Sequence, residues 1–175
     1  MLKYLVLYHS ETGNTQQLAR EVFSTLQGNS KDLMNLADNK KKPDAKIYFV
    51  GFEVYKGTCS MEVIQCLSEL HGKQIVLFGT CGIKPASDYH RLIESKVSVW
   101  IEDDNQYRGL FLCQGKMPIK VRNKYESLLE KDRCGEIKQM VQNFDEAMLH
   151  PDSEDFRKIR KFVEHIIVNN QPLNI

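Results

Sequence analysis

No stretch of this 175-residue sequence is long and apolar enough to span a membrane, and the apolar run at its start is too short for the hydrophobic region of a secretory signal. Neither sign of charge dominates: 24 Lys and Arg stand against 23 Asp and Glu, a formal net charge of +1. Nothing in that balance calls for nucleic acid or a membrane surface as partner. Cysteine is sparse and odd in number, with Cys59, Cys66, Cys81, Cys113 and Cys134 forming no Cys-x-x-Cys pair. That excludes a disulfide framework or a zinc knuckle. Free buried thiols in a cytoplasmic protein are the expectation. Cys59 is the exception, because it is expected to open a helix whose dipole lowers a thiol's pKa. Repeats and low-complexity segments are also missing, so residues 1–175 read as a single domain.

What is present is concentrated at the N-terminus. Lys3 to Tyr8 is a short apolar run of β-formers that opens directly into Ser10-Glu11-Thr12-Gly13-Asn14-Thr15. Gln16 to Leu26 follows with Leu18, Val22 and Leu26 at four-residue intervals, the apolar face of a helix. The six-residue stretch is thus a loop between a strand's carboxyl end and a helix's first turn. Such a turn has unpaired backbone N–H groups and partial positive charge. Glycine lets the backbone curl around an anion, and Ser10, Thr12 and Thr15 add hydroxyl donors. A phosphate monoester fits this donor set, held by neutral groups alone because the loop has no Lys or Arg. The plainer alternative is a capped helix with Asn14 or Thr15 as N-cap.

Further along, Asp32 to Leu36 reads as a short edge strand, while Lys46 to Phe52, Gln74 to Gly79 and Tyr107 to Cys113 are stronger β-rich runs. Helices are expected from Thr58 or Ser60 to about His71, with Met61, Ile64 and Leu67 or Ser68 on one face, and from about Tyr89 to Lys96. Strands alternating with helices argue for right-handed βαβ units and a parallel sheet covered on both faces. Three more helices are predicted around Val121 to Leu129, Ile137 to Met148 and Phe156 to Ile167, the last opened by Pro151-Asp152-Ser153.

The stretch from Ser10 to Thr15, placed right after an N-terminal apolar strand, resembles the phosphate loop of flavodoxins, (Thr/Ser)-x-Thr-Gly-Asn-Thr, which cradles the 5′-phosphate of flavin mononucleotide, FMN. The resemblance implies an α/β fold with a doubly wound five-stranded parallel sheet in the order 2-1-3-4-5, here with extra C-terminal helices at about 118–150 whose purpose the sequence does not give. In such sheets ligands sit at the strands' carboxyl ends where the strand order reverses. By resemblance, FMN would be held by Ser10, Glu11, Thr12, Gly13, Asn14 and Thr15 at its phosphate. Val54, Tyr55, Lys56, Gly57 and Thr58 with Thr80, Cys81, Gly82 and Tyr89 would surround its ring. Tyr55 and Tyr89 stand where flavodoxins place flanking aromatics, and the Thr80 to Gly82 amides would meet the pyrimidine edge. Gly57 stands where a family glycine lets a peptide flip, so that its carbonyl accepts from N5–H of the one-electron-reduced ring.

The resemblance further implies a carrier passing electrons between a reductase and an acceptor flavin or iron–sulfur enzyme, with no catalytic residues of its own. Relatives sharing the Gly57-Thr58-Cys59 and Cys113 to Lys116 stretches look like flavodoxin-family proteins of anaerobic and gut bacteria, some of them accessories to bilirubin reductase. The alternatives are an FMN-dependent NAD(P)H:quinone or flavin reductase and a binding module that has lost its cofactor. Other chemistries fit poorly. No Gly-x-Gly-x-x-Gly is present, and the phosphatase pattern Cys-x5-Arg is missing too. His9-Ser10 stands where a receiver domain needs carboxylates, and Gly109 to Lys116 is one residue too long for a Walker loop. One departure from acidic flavodoxins is the cations Lys56, Lys84 and Arg91 in or near the flavin loops. A cation ~8 Å from an anionic reduced flavin gains ~2 kcal/mol at an effective dielectric of ~20, on the order of 90 mV. A potential less negative than theirs is the expectation.

Overall fold

The computed structural model describes residues 1–38, 40–132 and 135–168. Strand β1 (Leu2–Tyr8) lies between β2 (Lys31–Asn35) and β3 (Ala45–Glu53), followed by β4 (Gln74–Cys81) and β5 (Gln106–Gln114). All pairings are parallel and the order is β2-β1-β3-β4-β5, as the resemblance implies. A parallel sheet needs helical crossovers, and these cover both faces.

The alternation of side chains along the strands sorts the apolar residues into two cores. Leu5 and Leu7 of β1, Val50 and Phe52 of β3 and Leu77 of β4 face α2 (Met61–Ser68) and α3 (Ser87–Ser98), which supply Val63, Cys66, Leu67, Ile93 and Val97. Tyr4, Val6, Phe49 and Phe78 face the other way, onto Leu18 and Val22 of α1 (Asn14–Thr25) and Ile159 and Val163 of α6 (Ser153–Val168). The last helix therefore closes the sheet beside the first. Between β5 and α6 come α4 (Ile119–Leu128) and α5 (Glu136–Ala147), the extra helices of the 118–150 segment. They pack on each other, and α4 buries none of its residues fully.

Three details differ from the sequence expectation. β2 is the edge strand foreseen, shifted by one residue to Lys31–Asn35 and only half buried. α2 ends at Ser68, short of His71, and its buried face is Val63, Cys66 and Leu67, leaving Met61 exposed by 71%. The cause is one of phase, since the sheet selects the stripe holding Cys66 over the one holding Met61. α1 begins at Asn14, two residues before the Gln16 read from sequence, with Gly13 at φ 83° as its N-cap; Asn14 and Thr15 are buried in the first turn, which sets aside the plainer alternative that one of them caps the helix.

A His/Asp cluster at the start of α6 is explained by capping. Asp152 Oδ1 accepts from the N–H groups of Glu154 and Asp155, and Asp155 Oδ2 accepts in return from the Asp152 N–H at 3.0 Å. His150 Nδ1 lies 2.5 Å from the same Asp155 oxygen.

Candidate functional site

The carboxyl ends of β1, β3, β4 and β5 release their loops at one edge, beside the point where the strand order reverses, and a cleft of about 250 Å³ opens there. On its first wall, Gly13 in the left-handed conformation turns the chain into α1 and its N–H donates to Ser10 Oγ at 3.1 Å. Thr15 is fully buried, its hydroxyl 3.1 Å from the Phe52 carbonyl and 2.9 Å from Thr80 Oγ1. This bond ties the loop to the ends of β3 and β4. Gly51 makes the approach possible, because a Cβ there would lie 3.0 Å from Thr15 Cγ2 and 2.4 Å from the Phe78 ring.

Asn14 is 3% exposed, and its Nδ2 donates to Thr12 Oγ1 at 2.7 Å and to the Lys116 carbonyl at 2.8 Å. Its Oδ1 is buried and has no hydrogen-bond partner among the described residues. A buried amide oxygen left unpaired is costly, so the position favours a donor arriving from a ligand. The carboxylate of Glu53, last residue of β3, lies in the loop's mouth and accepts from Ser10 Oγ at 2.7 Å, Thr12 Oγ1 at 2.6 Å and the Thr12 N–H at 3.0 Å. The loop thus gathers its donors on an anionic oxygen.

The second wall is a tight hairpin. Tyr55 and Thr58 exchange backbone hydrogen bonds of 2.8 and 3.1 Å, and Lys56 and Gly57 between them have φ of 50° and 80°. Two positive φ values at the central positions mark a type I′ turn. It holds Tyr55 out at 66% exposure on the cleft's rim, with Lys56 Nζ 5.2 Å from the ring centroid. On the third wall the Gly115 N–H donates to the Cys81 carbonyl at 2.9 Å. The Gly82 carbonyl accepts from Asn143 Nδ2 at 2.8 Å and Gln114 Nε2 at 3.3 Å. Met117 packs so closely that a Cβ on Gly82 would fall 2.6 Å from its sulfur.

Of the residues named from sequence, Glu11, Thr12, Asn14, Val54, Tyr55, Thr80, Cys81 and Gly82 line this one cleft. Ser10, Gly13 and Thr15 shape the loop behind it, and Lys56, Gly57 and Thr58 form the hairpin that presents Tyr55. Tyr89 does not line the cleft; it sits on α3, half buried against the core that includes Cys81. Lys84 and Arg91 are also elsewhere, 3.4 Å from Glu146 and 2.5 Å from Asp88. Sequence reasoning missed Glu53 and His9 at strand ends, Ser60 before α2, and the Gly115 to Val121 segment with Lys116 and Lys120. Lying after a strand's carboxyl end was the one signal shared by His9 and the Gly115 segment.

The expectation for Cys59 is corrected. It lies two residues ahead of α2, 5% exposed, and burial pushes its thiol up rather than the dipole pulling it down. Cys66, Cys81 and Cys113 are likewise buried and free, whereas Cys134 lies outside the described residues. Burial raises the Cys66 thiol to about 11 and the Cys81 thiol to about 12.

Residues 5–164 match the model of the flavodoxin domain. The flavodoxin-like domain-containing protein BilS of Clostridioides difficile (strain CD3) is 33% identical over 171 residues, covering 95% of this chain and 97% of that protein. BilS of Clostridium symbiosum (strain WAL-14163) is 30% identical over 180 residues, covering 93% of this chain and 94% of that protein. Among solved structures, a flavodoxin from the domain Archaea superposes with a TM-score of 0.53 at 13% identity, covering 96% of this chain and 98% of that chain. The phosphate-loop geometry, the strand order and a family match over nearly the whole chain agree, and the protein belongs to the flavodoxin family.

Proposed function

We propose that this chain binds FMN in the cleft and carries electrons between a reductase and an acceptor flavin or iron–sulfur enzyme. The observation that carries the reading is the convergence of Ser10 and Thr12 donors on one anionic oxygen at the N-terminus of α1. The residues present fit the cofactor in three respects: a carboxylate already stands where a phosphate would, Asn14 Oδ1 awaits a donor, and Val54, Tyr55, Met117 and Val121 give apolar walls to a ring. At about 250 Å³ the cleft is just below the ~300–1,000 Å³ usual for small-molecule sites.

When bound, FMN supplies the redox chemistry, and the protein supplies position, shielding and electrostatics. Lys116 and Lys120 on the cleft wall favour the anionic reduced cofactor, opposed by Glu11 and Glu53. Four free buried thiols suit a reducing compartment, which supports a cytoplasmic setting. Among the described residues no helix is long and apolar enough to cross a membrane.

The test is a visible spectrum of the purified protein with and without FMN, followed by dithionite titration. Tight uptake and stepwise one-electron reduction, at a potential less negative than that of acidic flavodoxins, are expected. Failure to take up FMN overturns the reading, and direct hydride uptake from NAD(P)H without a partner replaces the carrier with a reductase.

A further inference from the structure

The donors that make the first loop an anion cradle are engaged by the chain itself. Ser10 Oγ, Thr12 Oγ1 and the Thr12 N–H meet on the single oxygen Glu53 Oε1 at 2.7, 2.6 and 3.0 Å. Each hydroxyl has one proton to give, so a donor committed to Glu53 is withdrawn from any other acceptor. A phosphate brought to the same atoms would meet the carboxylate within hydrogen-bonding distance of its own oxygens. The loop from Ser10 to Thr15 holds no Lys or Arg to neutralise the pair. One anion must leave for the other to enter.

Glu53 is placed to leave by side-chain rotation alone. Its backbone is fixed in the sheet, in register with Thr80, and the next residue anchors it further, the Val54 N–H donating to the Thr80 carbonyl at 2.8 Å. Glu53 is only partly buried and lines the cleft, so rotation returns its carboxylate to water.

On the reading that the cleft takes FMN, we propose that Glu53 is a specificity-determining residue of the phosphate loop, its carboxylate occupying the cradle in the flavin-free protein and competing with the phosphate of FMN. Two consequences follow. The loop can stay folded around an internal anion, and the protein separates FMN from riboflavin less sharply than its motif alone would.

Fluorescence titrations of the full chain with FMN and with riboflavin, on the natural protein, Glu53→Gln and Glu53→Ala, test this directly. Glu53→Gln is expected to tighten FMN binding by about tenfold or more and to change riboflavin binding far less, because only the phosphorylated ligand competes with the carboxylate. Weaker FMN binding in both variants, or parallel changes for the two flavins, would show that Glu53 merely supports the loop and overturn the proposal. A second titration uses inorganic phosphate alone, followed through the Thr12 and Gly13 amide resonances. If no form of the protein takes flavin, the FMN reading fails on its own. Tighter phosphate binding by Glu53→Gln then upholds the competition, and unchanged phosphate binding overturns it.

Discussion

Asn14 donates a hydrogen bond of 2.8 Å to the carbonyl of Lys116, joining residues 102 positions apart in the chain. The amide binds the first turn of α1 to the segment after β5, the two parts of the cleft wall that the sequence separates most. The fit leaves no slack, since a Cβ on Gly115 would lie 2.9 Å from Asn14 Nδ2 and 3.0 Å from its Cγ.

Gly115→Ala is accordingly expected to force Asn14 or the Lys116 segment aside. Losing a buried, satisfied amide contact costs about 1–3 kcal/mol, so FMN affinity should fall by roughly tenfold or more. Equal FMN affinity in the variant would show that the post-β5 segment plays no part in holding the ligand. Because the strain falls at the end of β5 and not inside a core, thermal stability should change less than binding does.

The hairpin at Tyr55 makes a different prediction. Lys56 holds a φ of 50°, a region costly for an ordinary side chain and tolerated by asparagine. Lys56→Asn should stabilise the protein by about 1 kcal/mol in a denaturant titration, and Gly57→Ala should destabilise it by about as much. In the FMN-loaded protein Gly57→Ala should also lower the yield of the one-electron-reduced form during a redox titration, because the turn loses conformations that glycine visits freely. An unchanged yield would separate the turn from the cofactor.

Buried thiols set the alkaline limit of stability. An ordinary thiol titrates at 9.0, whereas burial holds Cys66 protonated to about 11 and Cys81 to about 12. The folded state therefore keeps protons that the unfolded chain releases. That contribution is fully present below pH 9.0 and is lost progressively as pH rises through the folded values. The denaturation midpoint should fall above about pH 9, and Cys66→Ala should flatten the slope. In the native protein at neutral pH, a thiol reagent should leave Cys59, Cys66, Cys81 and Cys113 unmodified until unfolding. Tyrosines add to the decline at higher pH: Tyr107 donates to Glu94 at 2.6 Å, and burial pushes its hydroxyl up as well.

How much of this was legible in the sequence follows from the range of each interaction. The strand from Lys3 to Tyr8, the loop after it and the apolar stripe of α1 are local patterns, and the structure reproduces them nearly residue for residue. The helices after Met117 were equally plain from their spacing. The position of Cys59 was not, because whether a thiol meets a helix dipole or a core depends on how the sheet receives the helix. Glu53 read as the first polar residue after an apolar strand. Its role depends on the register that sets the end of β3 against the end of β1, with His9 N–H donating to the Gly51 carbonyl at 3.1 Å. The contribution of Lys116 required knowing that Asn14 would be buried facing it. In sequence, Cys113 to Lys116 stood out as a stretch shared with relatives, but nothing in it showed that Gly115 to Pro118 would wall the cleft.

The hydrogen bonds at Gly82 give the inserted helices a mechanical meaning. One carbonyl oxygen on the third wall of the cleft is held both by Gln114 from the sheet and by Asn143 from the middle of α5. The α4–α5 pair is thereby pinned to the cleft through α5, at an oxygen that the sheet also holds. The part of the chain that looks like an appendage thus reaches the wall against which the ligand would rest, through one side chain.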